Sequence, residues 1–482
     1  MSSPSPTIEV KNDVVVDSEK ARDPYEVVLE AADDPQQRSS ARKWLTVLLI
    51  SSTSLCATCA SSMASFAEQG TMEEFHASRT VAILAISLFV EGLGWGPLLV
   101  GPLSEVYGRN IIYRVSVGLF FVFSFPVAFA PNMAVFLVFR FVTGFCGSAF
   151  LSVAGGSVSD LFSNHKVGNP MAVYTLSPFF GPIIGPLISG FMNQHLNWRW
   201  TYRLLIIWIF CQWMALLVFV PETYAPVILK RKAARLRKTT GDDRYWAPLD
   251  RQHKSLAHSM AISIYKPFQL LLFDRMALLL DIWTALLLGI LYLAFQAFPI
   301  IFEQGHGFSM GITGLTFLGI GVGQIMAFAT QPYWNNRFRR DREAYKGHPP
   351  PETRLFQGEV GAVLVPIGLF WLAFTTYPSV HWIVPIIGSA PFGMGMYYVY
   401  SSVFTYLVVA YRPIAASAMA ANSALRSAFA AVFPLFAPAM YKTLGTVGAT
   451  ALLAGLTTLM LPLPFVFRRI GARLRAKSKF AA

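Results

Sequence analysis

Charge is scarce in this 482-residue chain. Asp, Glu, Lys and Arg together make up 13% of it, about half the share of a soluble globular domain. Cysteine is scarcer still. Cys56, Cys59, Cys146 and Cys211 all fall inside apolar stretches, which excludes a disulfide framework. The Cys56-x-x-Cys59 pair has no further ligands nearby and reads as small apolar packing. No Asn-x-Ser/Thr sequon is present, so external glycosylation is not supported. Nucleophile–base pairs, metal-ligand clusters and phosphate loops are also missing, and His76, His195 and His306 sit in predicted loops without partners. An enzyme is thereby excluded, and neither a metal nor a cofactor is expected.

What the chain has in abundance is apolar length. Apolar residues make up 54% of it, in about twelve segments of the roughly 20 residues needed to cross a bilayer. Their centres fall near Ser52, Ser87, Phe121, Gly144, Gly181, Trp208, Leu288, Gly319, Ile367, Phe392, Phe429 and Gly455. The net charge of +13 would suit nucleic acid, but its distribution points to a membrane instead. Lys and Arg collect in alternate loops: Lys230 to Lys238, Arg337 to Arg342, and Arg468 to Lys479. The opposite loops are short, and the first carries Glu68, Glu73 and Glu74 against Arg79. The positive-inside rule then puts both termini and the loop holding Arg109 in the cytoplasm. The basic runs read as solvated loops near anionic lipid.

The spans divide six and six around a polar connection, as a two-bundle transporter requires. The predicted organisation is a loose, acid-rich cytoplasmic tail over 1–42, a six-helix bundle over 43–220, and a linker over 221–273. A second bundle over 274–467 and a basic tail over 468–482 follow. The linker is expected to form a short amphipathic helix followed by loose chain. The tail lacks a cleaved-signal pattern, so the first span would act as its own insertion signal.

Between the second and third spans lies Gly101-Pro-Leu-Ser-Glu105-Val-Tyr-Gly108-Arg109. So short a turn forces a tight antiparallel hairpin, with Gly101 and Gly108 allowing unusual backbone angles and close contact. The spacing resembles the G-x-L-x-(D/E)-x-x-G-R signature of the major facilitator superfamily. In the fifth span, Gly181-Pro182-Ile-Ile-Gly185-Pro186 makes a smooth groove with a bend. It is similar to the antiporter motif of drug:proton exchangers in that superfamily. Asn197-Trp-Arg199, Pro221-Glu-Thr-Tyr224, Pro351-Glu352-Thr-Arg354 and Asn422-Ser-Ala-Leu-Arg426 extend the likeness over nearly the whole chain past residue 40. Together they resemble the fungal twelve-helix drug:proton antiporters, a branch that includes polyamine and toxin exporters. The resemblance implies an all-α integral membrane fold, twelve transmembrane helices in two six-helix bundles, alternating access and a monomer.

A charge at the midplane costs about 2.5–3.5 kcal/mol on insertion scales, so each one needs a reason. Glu91, on the second span, is a candidate proton carrier or the partner of a neighbouring helix. Asp281 begins a stripe on the seventh span with Tyr292, Gln296 and Glu303, all within roughly 60° of it. Gln296 stands where relatives often show Glu; its amide binds but carries no proton. Asn422 and Arg426, four apart on the eleventh span, share a face. Tyr397 and Tyr398, with Met394, Met396 and Tyr400, would suit an adaptable apolar pocket or ordinary packing. Ser54, Thr58, Ser61 and Ser65 recur at helical spacing in the first span, as residues that knit membrane helices do. The resemblance gives Arg140 a part in proton transfer; bonds to backbone carbonyls are the structural alternative. It also gives Glu105, Arg109 and Asp160 a charge relay that gates the cytoplasmic side, against simple helix capping by Asp160.

The expected function is secondary active transport: a proton-coupled antiporter exporting small, partly apolar organic compounds. A polyamine exporter and a non-transporting membrane sensor are the alternatives. The partners are a small-molecule substrate, protons and the lipid bilayer, with no nucleic acid. The plasma membrane is the default location, and the vacuolar membrane stays open.

Overall fold

The computed structural model describes residues 23–31, 33–163, 166–251, 256–347, 349–478 and 480. A chain that crosses lipid must satisfy its backbone internally, which favours uninterrupted helices. Spans 1 to 6 are Ser40–Phe75, Arg79–Tyr107, Arg109–Ala128, Met133–Leu161, Gly168–His195 and Arg199–Phe219. Spans 7 to 10 are Arg275–Gln304, Met310–Ala344, Pro351–Phe374 and Ile383–Ala410. The last apolar segment, Ala415–Ala476, has 62 residues. As one rod it would reach about 93 Å, three times the hydrocarbon thickness of about 30 Å. It breaks at Gly445, whose φ of 69° is left-handed, and the Tyr441 and Thr450 hydroxyls meet across the turn at 3.0 Å. Two antiparallel spans result, 11 (415–444) and 12 (446–476), making twelve among the described residues.

Small residues let these helices approach closely, since lipid offers no hydrophobic force to drive them together. In the first six spans, span 5 lies against span 1 and span 2 against span 4; in the second six, span 10 lies against spans 8 and 9, and span 7 against span 11. The two halves meet along spans 5 and 8 and along spans 2 and 11. On the second seam, Ser87 donates to the Ala431 carbonyl at 2.6 Å.

Two polar segments differ from the sequence expectation, and a third takes a defined helical form. The tail is folded from Asp23 onward, while residues 1–22 lie outside the described residues. Val27 donates to the Trp246 carbonyl at 3.0 Å, and Trp246 to the Tyr25 carbonyl at 3.0 Å. Val27, Ala233 and Ala247 close a small apolar core, and Lys232 binds Glu30 at 2.7 Å and Asp33 at 3.0 Å. An acidic tail has found a basic helix 200 residues away, which composition alone does not reveal. In the linker, the basic helix Ala225–Thr240 is followed by a second helix, Leu256–Phe273, where loose chain was expected. This second helix packs on spans 2 and 11, with Phe268 and Trp95 rings 6.1 Å apart. The basic C-terminal segment is also helical to Lys477. It docks through Arg475 to Glu352 at 2.8 Å and Arg468 to Glu359 at 2.7 Å.

Candidate transport site

Spans 7 and 11 bring Asp281, Thr284, Asn422 and Arg426 together. Asp281 is 1% exposed and Asn422 is fully buried. The Asn422 amide donates to Asp281 Oδ1 and to Thr284 Oγ1, both at 2.8 Å. Span 10 adds Tyr400, whose hydroxyl donates to the Thr284 carbonyl at 2.8 Å. Its ring stacks on Phe179 of span 5, centroids 4.6 Å apart, so the group adjoins the seam. One turn beyond Asn422, the Arg426 guanidinium lies over the rings of Phe404 at 4.9 Å and Tyr400 at 5.5 Å. Arg426 Nε and Asn422 Oδ1 are both buried without a hydrogen-bond partner. Such orphans are expensive in a static core.

Tyr397 and Tyr398 do not join this group. They sit in a separate apolar cluster with Ala327, where Tyr398 shares a 2.6 Å hydrogen bond with Thr330. Tyr400, three residues on from Tyr397, takes the place beside Asp281 because one face of span 10 meets span 7 and the next meets span 8.

Further along span 7, Tyr292 and Gln296 face the other bundle near the opposite end of the molecule. Tyr292 lies about 16 Å from Asp281 along the helix axis, and its hydroxyl meets that of Ser61 at 2.7 Å. Gln296 Nε2 donates to Glu68 Oε1 at 2.6 Å, and its Oε1 accepts from Arg79 Nη2 at 3.0 Å. Sequence pattern alone places Glu68 in a loop. It is instead 8% exposed within the continuous first span. The signal was present: Ser54, Thr58, Ser61 and Ser65 continue to Glu68 at the same three-and-four spacing.

Arg140 is buried in the first bundle, between the Phe89 ring at 4.3 Å and the Tyr202 ring at 5.6 Å. It donates to the Ala85 carbonyl at 2.8 Å and the Ala60 carbonyl at 3.0 Å, tying spans 1, 2 and 4 at one point. A small cavity beside it is lined by Ala60, Ser124, Thr143 and Tyr202. Glu91 is half-buried on span 2 and accepts from the Trp95 indole at 3.0 Å, outside the Asp281 group. Ser87 and Gly94 turn into the seam, and Gly94 abuts Ser427.

At the Arg109 end, the charged group differs from the expected trio. Arg109 Nε lies 3.5 Å from Asp160, its Nη1 donates to Ser104 at 2.6 Å, and its guanidinium covers the Tyr224 ring at 4.7 Å. Glu105 is exposed, and among the described residues it forms no ion pair with Arg109. The acid that joins is Glu222, which accepts from the Arg109 backbone N–H at 2.9 Å and pairs with Arg231 at 3.5 Å. Its carboxylate also presses on Gly108, where φ is 99°, a backbone angle that suits glycine. Gly101 faces open space. In span 5, Gly181 and Gly185 abut Thr58 and Ser62 of span 1, and Ser62 donates to the Gly181 carbonyl at 3.0 Å. Pro182 and Pro186 lie buried within the same helix, and the Pro186 carbonyl meets Gly314 of span 8.

Two six-helix bundles with ionisable groups buried between and beside them define a multi-pass membrane transporter. The family pattern described as Major Facilitator Superfamily matches residues 50–434, and the chain belongs to that superfamily. It is 45% identical to the protein named Efflux pump atB of Aspergillus terreus, over 99% of this chain and 95% of that one. It is 43% identical to the Probable drug/proton antiporter YHK8 of Saccharomyces cerevisiae, over 95% of this chain and 89% of that one. Among solved structures, the xylose transporter XylE of E. coli in a partially occluded inward-open conformation matches with a TM-score of 0.62. That match has 16% identity and covers 89% of this chain and 98% of that one; it is a likeness of fold.

Proposed function

We propose that the protein is a proton-coupled antiporter that exports small, partly apolar organic compounds such as drugs, toxins or secondary metabolites. The observation that carries this reading is Asp281. It is a carboxyl buried in a membrane-spanning helix, beside the seam, held by the neutral Asn422 amide with no ion-pair partner among the described residues. A buried carboxyl that no cation pairs with directly, with Arg426 close enough to act on it through space, is suited to exchange protons as the bundles rock. The names of the fungal relatives support the direction of transport and the coupling ion.

The Lys and Arg distribution supports a cytoplasmic Arg109 end. Substrate would then enter between the bundles near Arg426, Asn422 and Tyr400 and leave at the Gln296 end. Arg140, bonded to two backbone carbonyls, holds the first bundle rigid, and Glu91 is the second proton-coupling candidate. Arg426 and Arg140 disfavour a polyamine, whose charge they would repel. We assign the plasma membrane as the location and a monomer as the working unit; imaging of a tagged chain and sizing in detergent check these.

The test is efflux of a fluorescent apolar dye from proteoliposomes under an imposed pH gradient. Transport should follow the gradient and collapse with a protonophore. Asp281→Asn should cut gradient-driven efflux at least about tenfold, the equivalent of about 1.4 kcal/mol. Full gradient-driven efflux by both Asp281→Asn and Glu91→Gln would remove the proton assignment.

A further inference from the structure

Gln296 sends the two ends of one amide to two residues of the opposite bundle. Its donor end meets the Glu68 carboxylate at 2.6 Å, and its acceptor end meets the Arg79 guanidinium at 3.0 Å. The polarity allows no other orientation, because a flipped amide would set oxygen against oxygen and N–H against N–H. Glu68 and Arg79 both belong to the first bundle, on spans 1 and 2, so they stay together however the bundles tilt. Of these three residues, Gln296 is the one on the second bundle.

We infer that Gln296 is the bolt of the exit gate and that Glu68 and Arg79 are the positioning residues that seat it. The inference rests on the two-bundle rocking reading above and adds the residues that hold one end shut. With the gate shut, Gln296 is 1% and Glu68 8% exposed, so the bond between them is desolvated and costly to leave unmade. When the bundles part, the carboxylate faces water and the neighbouring guanidinium, and no charge is stranded in a dry interface. Ser61 and Tyr292 add a neutral hydrogen bond at 2.7 Å one turn nearer the centre. The seal is thus reversible and polar, where a purely apolar contact would have no fixed register.

An amide exchange tests this. Gln296→Glu removes the amide donor to Glu68 and sets a second carboxyl against it, and should open the gate. The exchanged pair Glu68→Gln with Gln296→Glu restores donor against acceptor, with Arg79 facing the same carboxyl as in the single variant, so closure should return. The readout is the distance between labels at Gln69→Cys and Gln304→Cys, exposed positions on opposite bundles at this end. Cys211, the one exposed cysteine among the described residues, is changed to Ser. The open-to-closed ratio should rise at least about tenfold in Gln296→Glu, matching the loss of one buried hydrogen bond, and fall back in the exchanged pair. An exchanged pair as open as Gln296→Glu, or no change of distance in Gln296→Glu, overturns the inference. Should that happen while Asp281-dependent, gradient-driven efflux persists, the transport reading stands without this gate. Should closure be rescued while efflux ignores the gradient, the gate stands and the coupling falls.

Discussion

The carboxylate of Glu222 caps a helix that begins 113 residues before it, accepting from the backbone N–H of Arg109 at 2.9 Å and of Asn110 at 3.4 Å. Span 3 starts directly after Gly108, which has no side chain to act as its own cap. The first turn of a helix leaves unpaired N–H groups and a partial positive charge, and Glu222 answers both.

Removing that cap has a measurable cost. Glu222→Ala should lower stability by about 1–2 kcal/mol, read as an earlier midpoint of thermal unfolding in detergent. Glu222→Gln should lose less, because its remaining oxygen still accepts. Equal midpoints for Glu222→Ala and the parent chain would show that the tie is not structural.

Asp281 and Asn422 should behave as one unit. Asn422→Ala leaves the buried Asp281 carboxyl and the Thr284 hydroxyl without a donor, a penalty of about 1–3 kcal/mol. In combination with Asp281→Asn, the transport losses should fall well short of additive. Independent, additive losses measured in the double-mutant cycle would separate the two residues.

Span 5 is predicted to tolerate no side chain where it meets span 1. A Cβ at Gly185 would strike the Ser62 hydroxyl, so Gly185→Ala should cost about 1–3 kcal/mol through overpacking. It should also reduce the amount of folded protein recovered. Adding Ser62→Ala relieves the nearest contact and should restore part of the yield. Unchanged yield and efflux in Gly185→Ala would show that this approach is not needed.

The clasp between tail and linker should open when its centre is removed. Trp246 donates from its indole to Asp23 at 2.9 Å and lies under Arg251 at 3.4 Å. Trp246→Ala should therefore expose residues 23–38 to limited proteolysis. The Tyr25 backbone N–H and the Trp246 indole hold the Asp23 carboxyl below its usual range. A lowered value means the clasp is favoured above the ordinary Asp value and weakens as pH falls through the lowered one. Protection should therefore be flat from pH 8 to about 5, above the ordinary Asp value of about 3.9, and weaken only in stronger acid.

Hydropathy and small-residue patterning were enough to read twelve helices, their division into two sixes and the close approach of span 5, because lipid imposes those features segment by segment. The three-and-four spacing of Asp281, Tyr292 and Gln296 likewise showed one polar face on span 7. Which groups those residues meet was settled in three dimensions. Glu68 reached Gln296 because a helix carried on where a loop was expected. Glu222 displaced Glu105 because the end of span 6 lies beside the start of span 3. Of the tyrosines offered on span 10, Tyr400 meets the Asp281 group and Tyr397 and Tyr398 do not, because nearby positions on one helix look toward different neighbours. The acidic tail folded because a basic helix lay within reach. Burial in lipid is a property of a stretch of chain, whereas a hydrogen bond or an ion pair depends on a partner that only packing supplies.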